Sequence, residues 1–167
     1  MKTTVRTLLR ESKNRELYQY AYTCMEQSRR LYNAALFRLR QNFTARKKDS
    51  LTQNEKLVMD EVLLTAKTAQ LNVPKSIISY RFLEKLMRAT GNPDFFSGLP
   101  MQSAQEVLKQ AVRSFKGWLS ALRAYKKDPS VFTGIPKMPG YRRQGTLTPS
   151  FLRTRTVCFT KGTAGYT

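Results

Sequence analysis

The sequence contains no histidine and only two cysteines, Cys24 and Cys158. A chain without histidine can build no Ser-His-Asp triad, no Cys-His dyad and no Cys2His2 zinc finger. Two cysteines are too few for a four-cysteine zinc site, and their wide separation in the chain favours unpaired thiols in a reducing compartment. No apolar run is long enough for a transmembrane helix or a signal peptide. We therefore expect a cytoplasmic protein.

Acidic residues are scarce: the chain has 11 of them against 30 lysines and arginines, and none follows Asp128. Two-metal phosphoryl chemistry needs several carboxylates that converge on one point, whereas these carboxylates fall mostly on the surfaces and first turns of predicted helices. No P-loop and no Gly-x-Gly-x-x-Gly sequence is present. We expect no catalytic residue, no metal site and no cofactor in this chain.

The basic residues give a formal net charge of +19 and are distributed unevenly. Residues 1–48 contain 12 basic and 3 acidic residues, whereas residues 49–106 contain 6 basic and 7 acidic ones. Residues 107–127 then contain 6 basic residues and no acid. Such clustering favours a dedicated surface for a polyanion, with nucleic acid as the first candidate. The alternatives are an anionic membrane surface and a basic surface without a specific ligand.

Apolar residues recur at helical spacing in several stretches of the chain. The first predicted helix ends near residue 43 and carries one apolar stripe. Thr52 and Glu55 form a capping box that starts a second helix, which Pro74 is expected to end. A shorter helix is predicted from about Ser76, and a long one follows Pro100.

The two ends of the chain have the composition of strands rather than helices. Residues 3–10 begin with threonine and valine, and residues 146–160 are rich in threonine, phenylalanine and valine. Closely spaced prolines and glycines exclude a helix from the segment before the second of these stretches. We therefore expect an α+β fold in which the two ends pair in one sheet.

Three stretches combine cations with aromatic or amide side chains, as nucleic-acid-binding surfaces do. In the first, Arg29 and Arg30 are followed by Tyr32 and Asn33, which can stack on a base or bond to its edge. The alternative is that Tyr32 belongs to the core and that the arginines are solvated. Residue type does not decide between these two interpretations.

The second stretch, residues 115–127, contains the only tryptophan, Trp118, among several lysines. Helical spacing favours a core role for Phe115 and Trp118 and leaves the lysines as phosphate contacts. The third stretch, residues 134–145, combines prolines, glycines and cations with Tyr141. This composition suits a loop laid along a nucleic-acid backbone, and an ordinary basic surface loop is the alternative.

Four motifs, in this order, resemble the N-terminal half of the TnpB (OrfB) proteins of insertion sequences. The first two are Tyr32-Asn33-Ala34-Ala35-Leu36, in a helix that contains Cys24, and Leu99-Pro100-Met101-Gln102-Ser103-Ala104, before a helix that reaches Trp118-Leu119. The other two are Gly134-Ile135-Pro136-Lys137-Met138-Pro139-Gly140-Tyr141-Arg142 and Thr146-Leu147-Thr148-Pro149-Ser150-Phe151. TnpB proteins, and the type V CRISPR effectors that resemble them, are RNA-guided DNA endonucleases.

The resemblance implies a small β-barrel-like wedge, formed by residues 1–11 and 129–167, with a helical recognition lobe of residues 12–128 inserted in it. The implied partners are guide RNA and target DNA, together with a nuclease-bearing chain or a second copy of this chain, and no membrane. The RuvC-like nuclease half of the family, with its acidic triad, Mg²⁺ and zinc ribbon, is absent from this sequence.

The implied function is guide-RNA and target-DNA recognition without cleavage, in the prokaryotic cytoplasm at the nucleoid. One alternative is a fragment or subunit of an active RNA-guided nuclease. Another is a basic helical regulator that binds RNA or duplex DNA.

On this interpretation the site residues fall into two groups. Phosphate contacts are expected from Arg29, Arg30, Lys116, Arg123, Lys126, Lys127, Lys137, Arg142, Arg143, Arg153 and Arg155. Base stacking or base recognition is expected from Tyr32, Asn33, Tyr141 and Phe151.

Overall fold

The described structure is built from helices. A computed structural model describes residues 12–74, 76–96 and 98–144. These residues form four α-helices and one short 3-10 helix. They are α1 (Arg15–Ala45), α2 (Gln53–Thr68), α3 (Tyr80–Ala89), α4 (Met101–Lys127) and the 3-10 helix Pro129–Val131.

The predicted α+β fold with a β-barrel-like wedge is wrong, because the described residues form helices and contain neither a strand nor a sheet. Residues 129–144, assigned above to the wedge, form the 3-10 helix and then an extended segment. Pro136 and Pro139 have no backbone N–H, so this segment lacks donors that a central strand needs. The other predicted strands, in residues 3–10 and 146–160, lie outside the described residues.

Side-chain contacts show that each short helix runs antiparallel to a long one. Arg38 of α1 forms an ion pair with Glu61 of α2, while Asn42, one turn further along α1, contacts Met59. Likewise, Glu84 of α3 accepts a hydrogen bond from Gln105 of α4, and Tyr80 packs under Lys109. In both pairs, residues further along one helix meet earlier residues of the other.

The two long helices, α1 and α4, run parallel to each other. Near the start of α4, the side chain of Gln27 lies beside Gly98. About 24 Å further along both helices, the ring of Phe43 packs edge to face against Phe115 and Trp118, with centroids 5.7 and 5.2 Å away. The helices therefore form a bundle in which α1 and α4 point one way and α2 and α3 the other.

The hydrophobic core is formed by facing stripes of the helices. The stripe predicted for the first helix is confirmed, since Cys24, Leu31 and Leu39 are buried on one side of α1. Leu108 of α4 and Leu86 of α3 are completely buried in the same cluster. Truncation of such a leucine to alanine costs about 2–5 kcal/mol, so these stripes hold the bundle together.

α2 ends earlier in the chain than predicted, whereas α3 ends just before a glycine. α2 ends at Thr68 rather than at Pro74, and Gln70 follows in a left-handed conformation with φ 50°. α3 ends at Ala89, and Gly91 has φ 57° in the same role. After each helix, backbone N–H groups bond back to its last carbonyls, so local capping ends both helices before any proline does.

The capping box predicted at the start of α2 is confirmed. The backbone N–H of Glu55 donates to Thr52 Oγ1 at 3.4 Å, and the backbone N–H of Thr52 donates to Glu55 Oε2 at 2.9 Å. Lys48 Nζ donates to Glu55 Oε1 at 2.9 Å. The hydrogen bonds from Lys48 and from the Thr52 backbone lower the pKa of Glu55 to about 2.

We expect Glu55→Gln to lower the free energy of unfolding at pH 7 and to flatten its fall in acid. An unfolded glutamate has a pKa of about 4.3, so the contribution of the folded carboxylate is complete above about pH 5 and is lost as the pH falls through 2. Urea unfolding of both proteins between pH 2 and 7 measures the effect. Asp60→Asn, which removes an exposed carboxylate of the same helix, is the control, and a Glu55→Gln profile parallel to wild type would contradict the assignment.

Candidate nucleic-acid interface

An extended segment, residues 136–142, lies along α1 and is called here the docked segment. At its start, the indole Nε1 of Trp118 donates to the Pro136 carbonyl at 3.0 Å. Further along, Arg40 Nη1 donates to the Pro139 carbonyl at 3.3 Å, and Asn33 bonds to Arg142. Because later residues of the segment meet earlier residues of α1, the segment runs antiparallel to the helix over about 10 Å between Pro139 and Arg142.

Asn33 holds the end of the docked segment through both ends of its side-chain amide. Its Nδ2 donates to the Arg142 carbonyl at 2.9 Å, and its Oδ1 accepts from the Arg142 backbone N–H at 2.8 Å. Arg29 Nη1 donates to the same carbonyl at 3.5 Å. Asn33 therefore occupies the place that a neighbouring strand takes in a sheet, and it satisfies the backbone groups of Arg142.

The side chain of Arg142 lies over Tyr32. Its guanidinium carbon is 3.7 Å from the centroid of the Tyr32 ring, and that ring is only 5% exposed. Burial lowers the pKa of Arg142, although the ordinary pKa of arginine is so high that the group stays charged. Tyr32 is thus a core residue with an intramolecular cation partner, and its contact with a base stays a prediction.

The opposite side of the docked segment presents Lys137 and Tyr141 to solvent, and Arg143, the next residue after the segment, is also exposed. The Arg40 guanidinium lies 4.9 Å from the centroid of the Tyr141 ring, and Tyr141 is 45% exposed. A cation on one face orients the ring and leaves the remainder open for stacking. Arg30 is exposed on α1 beside this surface, so cations and an accessible aromatic ring occur together here.

Sequence reasoning missed Arg40, which contacts both Pro139 and Tyr141 of the docked segment. A signal for it is present in the sequence. Arg40 follows Arg29 by eleven positions and Asn33 by seven, which places all three on one face of an α-helix. That face is where the docked segment lies.

A second group of predicted site residues lies on another side of α4. Lys116, Arg123 and Lys127 lie on one side of the helix and, together with Ser120, which was not predicted, form one exposed line with a spacing of three or four positions. Lys116 and Trp118 are turned by about 200° from each other around the helix axis. The structure therefore separates the α4 lysines from the docked segment, which lies on the Trp118 side.

The remaining predicted residues fall into two places. Lys126, next to Lys127 of that line, is exposed in the last turn of α4, where a cation also offsets the negative end of the helix dipole. Phe151, Arg153 and Arg155 lie outside the described residues.

Ion pairs in the described part of the chain involve neither Lys116, Arg123 and Lys127 of α4 nor the cations of the docked segment. Arg38 makes a two-pronged pair with Glu61 at 2.7 and 2.8 Å, and Arg29 pairs with Glu26 at 2.9 Å. Among the predicted site residues, the exposed cations that pair with no acid of the described residues are Arg30, Lys116, Arg123, Lys126, Lys127, Lys137 and Arg143. Other exposed lysines, such as Lys56 and Lys85, also pair with none. The two exposed surfaces therefore keep their positive charge.

In residues 12–74, 76–96 and 98–144, no three His, Cys, Asp or Glu side chains lie close enough together to hold a metal ion. Over these same ranges, no helix is both long and apolar enough to cross a bilayer.

Comparisons of this chain with known protein families, with curated proteins and with solved structures found no significant match. The resemblance to TnpB proteins therefore stays a prediction. Function is inferred from the residues and the geometry of this chain.

We expect Asn33→Ala to release the end of the docked segment from α1. The change removes two hydrogen bonds and leaves the backbone groups of Arg142 without these partners, at a cost of about 1–3 kcal/mol. Limited trypsin digestion measures the release of the segment. Cleavage after Arg142 and Arg143 should become several times faster, while the thermal unfolding of the bundle changes little.

Gln41→Ala is the matched control, because Gln41 lies on the same helix and its side chain forms no hydrogen bond with residues 136–142. Equal cleavage rates in wild type, Asn33→Ala and Gln41→Ala would show that Asn33 does not hold the segment.

Proposed function

We propose that this chain binds nucleic acid and that the docked segment is part of the binding surface. One observation carries the proposal: an extended segment held rigidly on α1 presents unpaired cations and a half-exposed tyrosine on its outer side. Cations at this density pair with phosphates, and the ring offers a platform for a base. Within the described part of the protein, Lys137 and Arg143 pair with no acid, and the Tyr141 ring contacts the Arg40 guanidinium and stays 45% exposed.

The rigid attachment of the segment supports this function. Trp118, Arg40 and Asn33 hold three successive points of the segment, so Lys137, Tyr141 and Arg143 keep fixed positions before a ligand arrives. A ligand then loses less binding free energy to ordering of the protein. The segment is extended, and its outward side chains can follow a single nucleic-acid strand.

The TnpB resemblance specifies this function further. On that interpretation the chain takes part in the recognition of guide RNA and target DNA, and most of the sequence specificity comes from base pairing between the two. Arg29, Asn33 and Arg142 act on the protein side of this surface, where they position the docked segment. On the same interpretation, cleavage belongs to the RuvC-like nuclease half of that family.

We expect Lys137→Gln/Arg143→Gln to weaken the binding of a 20-nucleotide single-stranded RNA and to reduce its dependence on salt. Loss of two phosphate contacts lowers the slope of log K against log salt by about 1.4, at about 0.7 per contact on a single strand. Fluorescence anisotropy between 50 and 300 mM KCl measures both quantities.

Lys56→Gln/Lys85→Gln removes the same charge from exposed positions on α2 and α3 and is the control. The same loss of slope in both double variants would mean that only net charge matters and that the docked segment is not the site. Sequencing of RNA that co-purifies with the protein tests the guide-RNA part of the proposal. Selective binding to plain DNA duplex, with no RNA recovered, would contradict that part and favour a duplex-binding regulator.

A further inference from the structure

We infer that α4 carries a second nucleic-acid surface, which binds the sugar–phosphate backbone of a double helix while the docked segment binds an unpaired strand. This inference rests on the proposed function and adds a division of labour between two faces of one molecule. It starts from the separation of the predicted site residues into two groups.

The α4 surface is a straight line of cations. It consists of Lys109, Arg113, Lys116, Arg123 and Lys127, with Ser120 in the place between Lys116 and Arg123. These residues recur at intervals of three and four over about 27 Å of helix, so they share one side. Lys109 and Arg113 are near Glu106, whereas the other three cations pair with no acid of the described residues.

The shape of this surface fits a smooth backbone rather than unstacked bases. The line contains no aromatic residue, and Gly117, Ser120 and Ala124 leave a low strip beside the cations. A side chain at Gly117 would meet nothing within 4 Å, so no packing within the described protein requires glycine in the middle of this helix. Glycine there costs about 1 kcal/mol relative to alanine, and close approach of a ligand backbone gives a reason for it.

A shallow depression of 360 Å³ lies in the same surface. It is lined by Ile78, Lys116, Leu119, Ser120 and Arg123, so cations and a hydroxyl surround an apolar floor. A nucleic-acid backbone has the complementary pattern, with charged phosphates on either side of the apolar carbons of a sugar. Phosphates would bond to Lys116 and Arg123, and a sugar would lie over Leu119.

The docked segment differs from the α4 surface in its side chains and lies on the opposite side of α4. Tyr141 supplies a stacking ring that the α4 line lacks, and such rings bind bases only when the bases are unpaired. Trp118 and Lys116 point about 200° apart around α4, so a ligand on one surface does not occupy the other. One molecule can therefore hold a duplex and a single strand at once.

Variants at the two surfaces test whether the α4 surface binds duplex and the docked segment binds an unpaired strand. We expect Lys116→Gln/Arg123→Gln/Lys127→Gln to bind a blunt 20-bp duplex at least tenfold more weakly, with the slope of log K against log salt reduced by about 2.7, at about 0.9 per contact. Its affinity for a 20-nucleotide oligo-dT should change less than twofold. Tyr141→Ala should show the reverse, with at least a fivefold loss for oligo-dT and little change for the duplex.

Lys56→Gln/Lys67→Gln/Lys85→Gln is the matched control, because it removes three exposed lysines from α2 and α3. Circular dichroism melts establish that each variant folds. Co-elution of a duplex and an oligo-dT that carry different dyes, in one complex with the wild-type protein, tests simultaneous binding.

The possible results separate the two proposals. A wild-type protein that binds neither probe at low salt contradicts the proposed function and this inference together. If wild type binds, but the α4 triple variant weakens both probes equally or behaves like the control, the second surface does not exist and the proposed function stands. Competition between duplex and oligo-dT for one site would also overturn the inference.

Discussion

The parallel packing of α1 against α4 sets the position of every other described element. The Phe43, Phe115 and Trp118 rings meet edge to face at one end of this contact, and the leucine stripes of both helices fill its middle. Aromatic pairs of this kind contribute about 0.5–1.5 kcal/mol each beyond the area that they bury. Because the indole of Trp118 points past the core, its N–H reaches the Pro136 carbonyl and ties the docked segment to the same contact.

Because acidic residues are few, much of the positive charge on the protein surface is not neutralised by ion pairs. Within the described residues, acids pair with cations of the bundle, among them Arg29, Arg38 and Arg88, and Glu106 is the last acid before Asp128. Asp128 itself accepts hydrogen bonds from Ser130. Positive charge on the later half of α4 and on the docked segment is therefore left without neutralisation, and charges closer than the Debye length of about 8–10 Å repel one another. A bound polyanion would relieve this repulsion and stabilise the folded state.

Local patterns in the sequence predicted the helices well, because helix formation and capping depend on residues that are close together in the chain. The recurrence of Cys24, Leu31 and Leu39 every seven or eight positions, about two helical turns, buries one side of α1, and the capping box needs only Thr52 and Glu55. The fold class was wrong where it can be compared, in residues 129–144, which the family resemblance assigned to a wedge. There the partners of the extended backbone are side chains of α1 and α4 and not a neighbouring strand.

The sequence alone determined the helical stripes, the capping of α2 and the two basic regions, since each follows from composition or from spacing within one element. Only the tertiary structure decided that Tyr32 is buried under Arg142 and that Asn33 bonds to a backbone 109 positions away. It also decided that Lys116 and the docked segment lie on different sides of α4. These contacts join residues far apart in the chain, and their free energies depend on how whole helices pack, which no local pattern records.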